Sequence, residues 1–266
     1  SVLLHFEDLL RQSKNRDETQ PEVDNGVTSV SEDDLLKKMT IVLSKSLKGV
    51  SIKEVYEKVW SEGNRTTEKP FYGPWLDTEE CIDINVEDWE FAEPESDGFI
   101  GPWCKERYTQ RRLTTFKFKR TTHLYIGPPI AIVKQMHYCR VEGNDRCIVA
   151  ISATIDGVPY SDTFVVEMRW VARRHGDDLD IQVGLEVDFK KNTMLKSQIK
   201  AGTIAETKNV HVRMFHAIRK LCGASPDTDE VSFVESTAKV PEELAPKPKC
   251  GFFIRFYHSL TQVPVN

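Results

Sequence analysis

The chain contains no apolar run approaching the ~18–20 residues that a membrane-crossing helix needs, and no charged-then-apolar leader pattern is seen at its start. Its six cysteines, Cys81, Cys104, Cys139, Cys147, Cys222 and Cys250, include no CxxC pair. Neither a zinc site nor a compact disulfide framework is therefore indicated, and free thiols in a reducing compartment are the expectation. GxSxG, HExxH and P-loop patterns are lacking, as is a GxGxxG placed after a strand. His123, His137, His211 and His216 are scattered. His211 and His216 stand five apart, off the four-residue spacing that puts two zinc ligands on one helix face. No catalytic residue, metal site or cofactor site emerges from these absences. The net charge of −5 argues against general nucleic-acid binding through a basic face.

What is present is strong patterning between Val158 and Lys200. Phe164, Val166, Met168 and Trp170 alternate with Val165, Glu167 and Arg169. Then Ile181, Val183, Leu185, Val187 and Phe189 alternate with polar residues and Gly184. The polar stretch Arg173–Asp178 between them contains Gly176, so the pair reads as an antiparallel hairpin with one face inward and the other facing water. From about Thr193 to Leu221 the spacing becomes helical: Ile199, Thr203, Ile204, Thr207, His211, Met214, Phe215, Ile218 and Leu221. Arg219 and Lys220 occupy the last turn, Gly223 is the expected C′ residue and Pro226 blocks continuation. A helix this long needs a broad apolar surface, and the inner face of the sheet is the one of suitable size. The expected fold is α+β, a curved antiparallel sheet wrapped on a long C-terminal helix.

Three stretches carry a family resemblance: GVPYSDTFVVEMRW at Gly157–Trp170, FKKNTMLKSQIKAGTI at Phe189–Ile204, and YIGPP at Tyr125–Pro129. Together they resemble the VASt domain, as found in the Aster and Lam sterol-transfer proteins and related plant proteins, over roughly Val50–Leu221. The resemblance implies a START-like helix-grip fold enclosing an apolar cavity. It further implies non-vesicular sterol binding and transfer between membranes at contact sites, in a cytoplasmic domain held near the endoplasmic reticulum by segments outside this chain. The family usually carries a GRAM domain upstream.

On that reading the candidate cavity residues are Phe164, Val166, Met168, Trp170, Ile181, Val183, Leu185, Val187, Ile199, Thr203 and Ile204. Tyr125, Ile126, Gly127, Pro128, Pro129 and Ile130 form the candidate lid, because paired prolines cannot donate ladder hydrogen bonds and must leave the sheet. The lysines at the strand-to-helix junction, Lys190, Lys191, Lys196 and Lys200, are the candidate contacts to an anionic membrane. A second basic run, Arg111, Arg112, Lys117, Lys119 and Arg120 with Phe116 and Phe118 interleaved, reads as a membrane contact or a solvated face. The implied ligand is a sterol or similar lipid. Burying roughly 400 Å² of sterol is worth about 10 kcal/mol at ~25 cal/mol/Å², so one polar partner for its hydroxyl suffices.

The remaining organisation divides the chain at 1–49, 50–223 and 224–266. The first part holds the apolar stub VLLHFEDLL, a polar linker and a helix over Ser31–Lys48, although Thr40–Leu43 also suits a strand. The domain opens with a helix marked by a Ser51/Glu54 capping box and a Val50/Val55 staple, with Ile52, Val55, Tyr56, Val59 and Trp60 as its apolar stripe. Strands are expected between Phe71 and Arg120, with turns at Gly73-Pro74, Pro94–Gly98 and Gly101-Pro102. Two more follow over Val133–Glu142 and Arg146–Ile155. The tail, rich in Pro, Glu and Lys, reads as unstructured. Two other functions remain open: a membrane-recruitment or protein-interaction module with a filled core, and a START-like enzyme, which would need a buried acid or base. A monomer is the default expectation.

Overall fold

The computed structural model describes residues 33–61, 71–119 and 130–224. Of the expected lid, Tyr125, Ile126, Gly127, Pro128 and Pro129 fall outside them, as do the N-terminal stub and the tail from Ser225. The sheet is built from β1 (Thr40–Leu47), β2 (Ile82–Val86), β3 (Glu90–Phe91), β6 (Gln110–Lys119), β7 (Ile130–Glu142), β8 (Arg146–Asp156), β9 (Phe164–His175) and β10 (Asp178–Phe189). The order is β1-β10-β9-β8-β7-β6-β2, antiparallel throughout, with β3 also paired to β6. Between them, β4 (Phe99–Ile100) and β5 (Arg107–Tyr108) make a separate two-stranded ribbon. The first strand thus pairs with the last. The chain crosses the full width of the sheet between β1 and β2 through helices α1 (Ile52–Val55, continued as Tyr56–Trp60) and α2 (Tyr72–Thr78). The long helix α3 (Lys196–Cys222) closes the concave side, packed against β1 and β10. This is the expected α+β helix grip.

The hairpin β9–β10 is in register from Phe164↔Phe189 to His175↔Asp178. Its loop is two residues, and Gly176 takes the positive φ (62°) that the tight turn requires. Helix α3 starts at Lys196, later than Thr193, because the Thr193 hydroxyl accepts the Leu195 amide (3.3 Å) and holds a turn ahead of the helix. At the other end Gly223 is left-handed (φ 68°). The Ala224 amide donates to the Arg219 carbonyl (3.1 Å) and that of Gly223 to Lys220 (3.3 Å), a Schellman termination. The buried stripe ends on Cys222, with Leu221 turned to solvent. In α1 the Ser51 hydroxyl accepts the Glu54 amide (3.1 Å), but the Glu54 carboxylate bonds Lys58 (2.6 Å). The last turn is widened, with the Ser61 amide reaching the Tyr56 carbonyl five residues back (2.8 Å).

Several expectations are corrected. The helix expected over Ser31–Lys48 is a short 3-10 turn, Leu36–Lys38, followed by strand β1. The β-branched run Thr40-Ile41-Val42 pairs with β10, so tertiary pairing overrides a weak helical pattern. The folded unit therefore begins before Val50. Gly73-Pro74 is no turn, since Pro74 sits in the first turn of α2, where its missing N–H costs nothing.

The outer face of the hairpin does not simply face water. Residues 33–39 and the 101–108 segment lie over it, burying Ile148, Val171, Glu167 and Arg169. Gly184 permits this approach: a Cβ there would stand 2.7 Å from Leu36 Cδ2 and 2.9 Å from Met39 Cβ. Arg169, 3% exposed, fastens the cover, donating to both Asp33 carboxylate oxygens (2.9 and 2.8 Å), to Tyr108 Oη (3.0 Å) and to Glu106. Asp33 also caps the 3-10 turn through the Leu35 and Leu36 amides (both 3.1 Å). Burial alone would raise the Asp33 carboxyl, but the hydrogen bonds and charge of Arg169 outweigh it and hold it below the ordinary value. Replacing Arg169 by Met strands Asp33 without its buried partner. Urea unfolding is expected to show a loss of about 3–5 kcal/mol.

Candidate functional site

The concave face is where the candidate ligand residues converge. Val183 stands opposite Trp170, Leu185 opposite Met168 and Val187 opposite Val166, with Phe189 opposite Phe164. Ile181 extends the row, and from α3 Ile199 and Thr203 are buried while Ile204 is partly so. Val166, Val183, Leu185 and Ile199 are wholly inaccessible to water. The interior at this level is closed on itself, with strand rows and helix stripe in one continuous core.

The other half of the same face was not recognised in the sequence, and it is polar. On β6 the inward positions are Gln110, Arg112 and Thr114, then Phe116 and Phe118; on β7 they include Gln135 and His137. Arg112 stands opposite His137, and Thr114 opposite Gln135. The parity with Phe116 and Phe118 is the signal that could have found them. The apparent basic run splits by strand alternation: Arg112 turns in, while Arg111 pairs with Glu90 (2.7 Å) and Lys117 with Asp83 (2.8 Å) outside.

These groups form a directed hydrogen-bond chain. The Arg112 guanidinium can only donate, so its Nε contact with His137 Nδ1 (3.4 Å) places the ring proton on Nε2. That proton goes to Gln135 Oε1 (3.1 Å), which also accepts from the Tyr72 hydroxyl (2.8 Å). The Tyr56 hydroxyl similarly donates to Gln110 Oε1 (2.9 Å). Arg112 lies 4.3 Å over the Trp89 ring and donates to the Trp60 carbonyl (3.3 Å). An aromatic row, His211, Trp170, Trp60, Tyr72 and His137, links the two halves with centroid spacings of 5.2, 5.7, 6.1 and 4.9 Å. Burial, and for His137 also the Arg112 charge, keeps both histidines neutral; His211 is lowered to about 4.

The chain of bonds ends without closure. Among the described residues Gln110 Nε2, Gln135 Nε2, Trp75 Nε1, Trp170 Nε1 and the hydroxyls of Thr114, Thr203 and Thr207 are buried and find no hydrogen-bond partner. Each such group costs about 1–3 kcal/mol, so a core selected for packing alone has no reason to keep them. The interior is thus apolar where β9, β10 and α3 meet and polar along β6 and β7.

On the opposite, convex face a shallow recess with a volume of about 20 Å³ is bordered by Leu35, Met39, Trp103, Tyr108, Tyr138 and Glu167. Glu167, expected to be solvated, is buried. Its carboxyl accepts from Ser152 (2.9 Å) and is raised to about 7, chiefly by desolvation. No group of three or more His, Cys, Asp or Glu able to hold a metal occurs among the described residues. None of the described helices is long and apolar enough to cross a membrane.

The junction lysines are each engaged. Lys190 pairs with Asp188, Lys191 with Asp162 and Lys200 with Glu186 (2.8 Å), while Lys196 lies 5.0 Å from the Phe189 ring centre. This end of the sheet also carries Met194, 98% exposed, and Tyr160, held at φ 62°. The β6–β7 connection opens from the same end.

Comparison with known proteins adds three findings. The family model described as VASt, VAD1 Analog of StAR-related lipid transfer domain, matches residues 42–206, more than half of the chain. A stretch of 112 residues is 29% identical to Protein VASCULAR ASSOCIATED DEATH 1, chloroplastic, of Arabidopsis thaliana. It covers 39% of this chain and 18% of that protein. The X-ray structure of norcoclaurine synthase from Thalictrum flavum aligns with 76% of this chain and 98% of that one, at a TM-score of 0.31 and 11% identity.

Glu167 yields a pH signature. The folded state holds its proton up to about 7 and the unfolded chain only to the ordinary 4.5. Its contribution is therefore fully present below 4.5 and is lost as pH rises through 7. His211, neutral when folded, contributes the opposite slope between 6.5 and about 4. The difference between wild type and Glu167→Gln isolates the carboxyl. By chemical unfolding, the variant should gain ~1–3 kcal/mol relative to wild type between pH 4.5 and pH 8.

Proposed function

Because the chain belongs to the VASt family of StAR-related lipid transfer domains, and is by that membership a lipid-binding domain, we propose that it takes a sterol or similar lipid against its concave face and carries it between membranes at contact sites. The family match across the strands and the first part of α3 is the observation that carries this reading. The buried, unsatisfied polar groups on that face support it, because an amphipathic guest with a polar end would satisfy what the closed core leaves open.

No bond chemistry is involved. In the closed state β9, β10 and α3 pack on one another. Loading exchanges those contacts for contacts with the lipid, so the burial gain of about 10 kcal/mol for a sterol is offset by the packing given up. That offset makes release as accessible as uptake, which a carrier requires. Binding must displace α3 or part the strand ends near the β6–β7 connection, where the lid was expected.

Contact with the membrane falls to the end bearing Met194, Tyr160 and the four lysines. Met194 is an apolar side chain on a solvent-exposed tip, suited to insertion among acyl chains. The lysine ion pairs are exposed, each worth little, and can be exchanged for lipid phosphates. The filled interior favours one other reading, a membrane-recruitment module that never opens. The implied setting of the lipid-transfer reading is the cytoplasmic side of the endoplasmic reticulum.

Fluorescent sterol moving from donor to acceptor liposomes tests the proposal. The wild-type domain should accelerate transfer, and Val183→Arg should reduce it at least tenfold while vesicle binding persists. Met194→Asp should weaken vesicle binding by several fold and leave sterol binding in solution unchanged. Vesicle binding without transfer by the wild type would support the recruitment module instead.

A further inference from the structure

The lysines of the second basic run acquire apolar neighbours once the strands are paired. Alternation on β6 and β7 turns Phe116, Phe118, Ala131 and Val133 inward, so Lys117, Lys119, Ile130, Ile132 and Lys134 share the outer wall. Lys119 is directly opposite Ile130 and Lys117 opposite Ile132, with Lys134 next along the same face of β7. The cover that lies over the convex face packs on Tyr138 and Ala150. Tyr138 is ~20 Å along β7 from Ile132. Ile130 and Ile132 are left bare, each 37% exposed.

The charges around these isoleucines are not all balanced in place. Lys117 pairs with Asp83 (2.8 Å), but Lys119 and Lys134 make no ion pair among the described residues. The junction lysines Lys190, Lys191 and Lys200, by contrast, are each held by an acid. Asp156, exposed and opposite Ile132, is the carboxylate that works against the wall's positive charge. Two isoleucines offer far less than the ~800 Å² a side of a stable protein interface. A bilayer sets no such threshold: a few aliphatic side chains enter the acyl boundary while neighbouring lysines meet anionic headgroups. The position agrees with this. The wall lies at the strand ends that also bear Tyr160 and Met194, and β7 is separated from β10 by three strand spacings, ~14 Å.

We propose that the outer wall of Ile130, Ile132, Lys119 and Lys134 is a second docking surface for an anionic bilayer. The domain then meets the membrane along the strand ends from β10 to β6, leaning on its convex side, and not at the β10–α3 corner alone. The inference rests on the membrane-contact part of the reading above and extends its footprint.

Co-sedimentation of the purified chain with phosphatidylcholine vesicles containing phosphatidylserine tests the wall. Lys119→Gln and Lys134→Gln should each weaken binding by about fivefold at low salt, an effect that high salt removes. Ile132→Ser should weaken it several fold at either salt concentration. Asp156→Asn should strengthen it, an outcome that general damage to the fold does not produce. All four positions are on the surface, and thermal melting establishes that each variant is folded. Wild-type binding by both Ile132→Ser and the lysine variants, while Met194→Asp binds weakly, would overturn the wall and leave the β10–α3 contact standing. Failure of the wild-type chain to bind these vesicles would overturn both contacts. Sterol binding in solution then judges the carrier reading separately.

Discussion

The packing of one long helix across the concave side of a single antiparallel sheet is the contact on which the rest of the molecule depends. Helix α3, 27 residues long, covers rows of aliphatic side chains from β9 and β10 that would otherwise be bared to water. β1 joins that hydrophobic face by pairing with β10, and α1 and α2 complete it from the side. Among the described residues no second sheet lies on the concave side, so movement of α3 bares the β9 and β10 rows, while α1 and α2 stay over β6 and β7. A fold whose aliphatic rows are covered by a single helix is well suited to taking in a guest and giving it up.

The two faces of the sheet solve the problem of buried charge differently. Outside, Arg169 is surrounded by Asp33, Glu106 and Tyr108, an arrangement that closes nearly all its hydrogen-bonding capacity and holds the N-terminal segment down. Inside, the hydrogen-bond chain from Arg112 through His137 to Gln135 stops at a buried amide nitrogen. The first is a finished structural clamp. The second leaves donors unsatisfied, a cost tolerable in a protein whose working cycle includes a state that satisfies them.

How much of this was legible follows the physics of each signal. Strands β9 and β10 and helix α3 were readable because strict alternation and a three-to-four repeat each leave one apolar face, and burial then has only one solution. β1 was misassigned because β-branched residues at an edge are decided by their partner strand, 136 positions away at Ile181↔Lys45 and 145 at Thr40↔Leu185, which local pattern does not encode. Glu167 was assigned to solvent because alternation reports which face a residue takes, not what later covers that face. Arg112 was hidden inside an apparent basic run; only the parity shared with Phe116 and Phe118 distinguishes it from Arg111. Gln135, Tyr72 and Tyr56 come together through tertiary packing alone.

The central claim is that the concave face holds a lipid. Photo-crosslinking with a diazirine-bearing sterol, followed by peptide mapping, tests it most directly because it separates labelling of the concave face from labelling of the shallow convex recess beside Trp103 and Tyr138. The account predicts labelled peptides from the inward side of β6, β7, β9 and α3, competed away by unlabelled sterol. Competable labelling confined to the convex recess, or none that unlabelled sterol competes away, would contradict it.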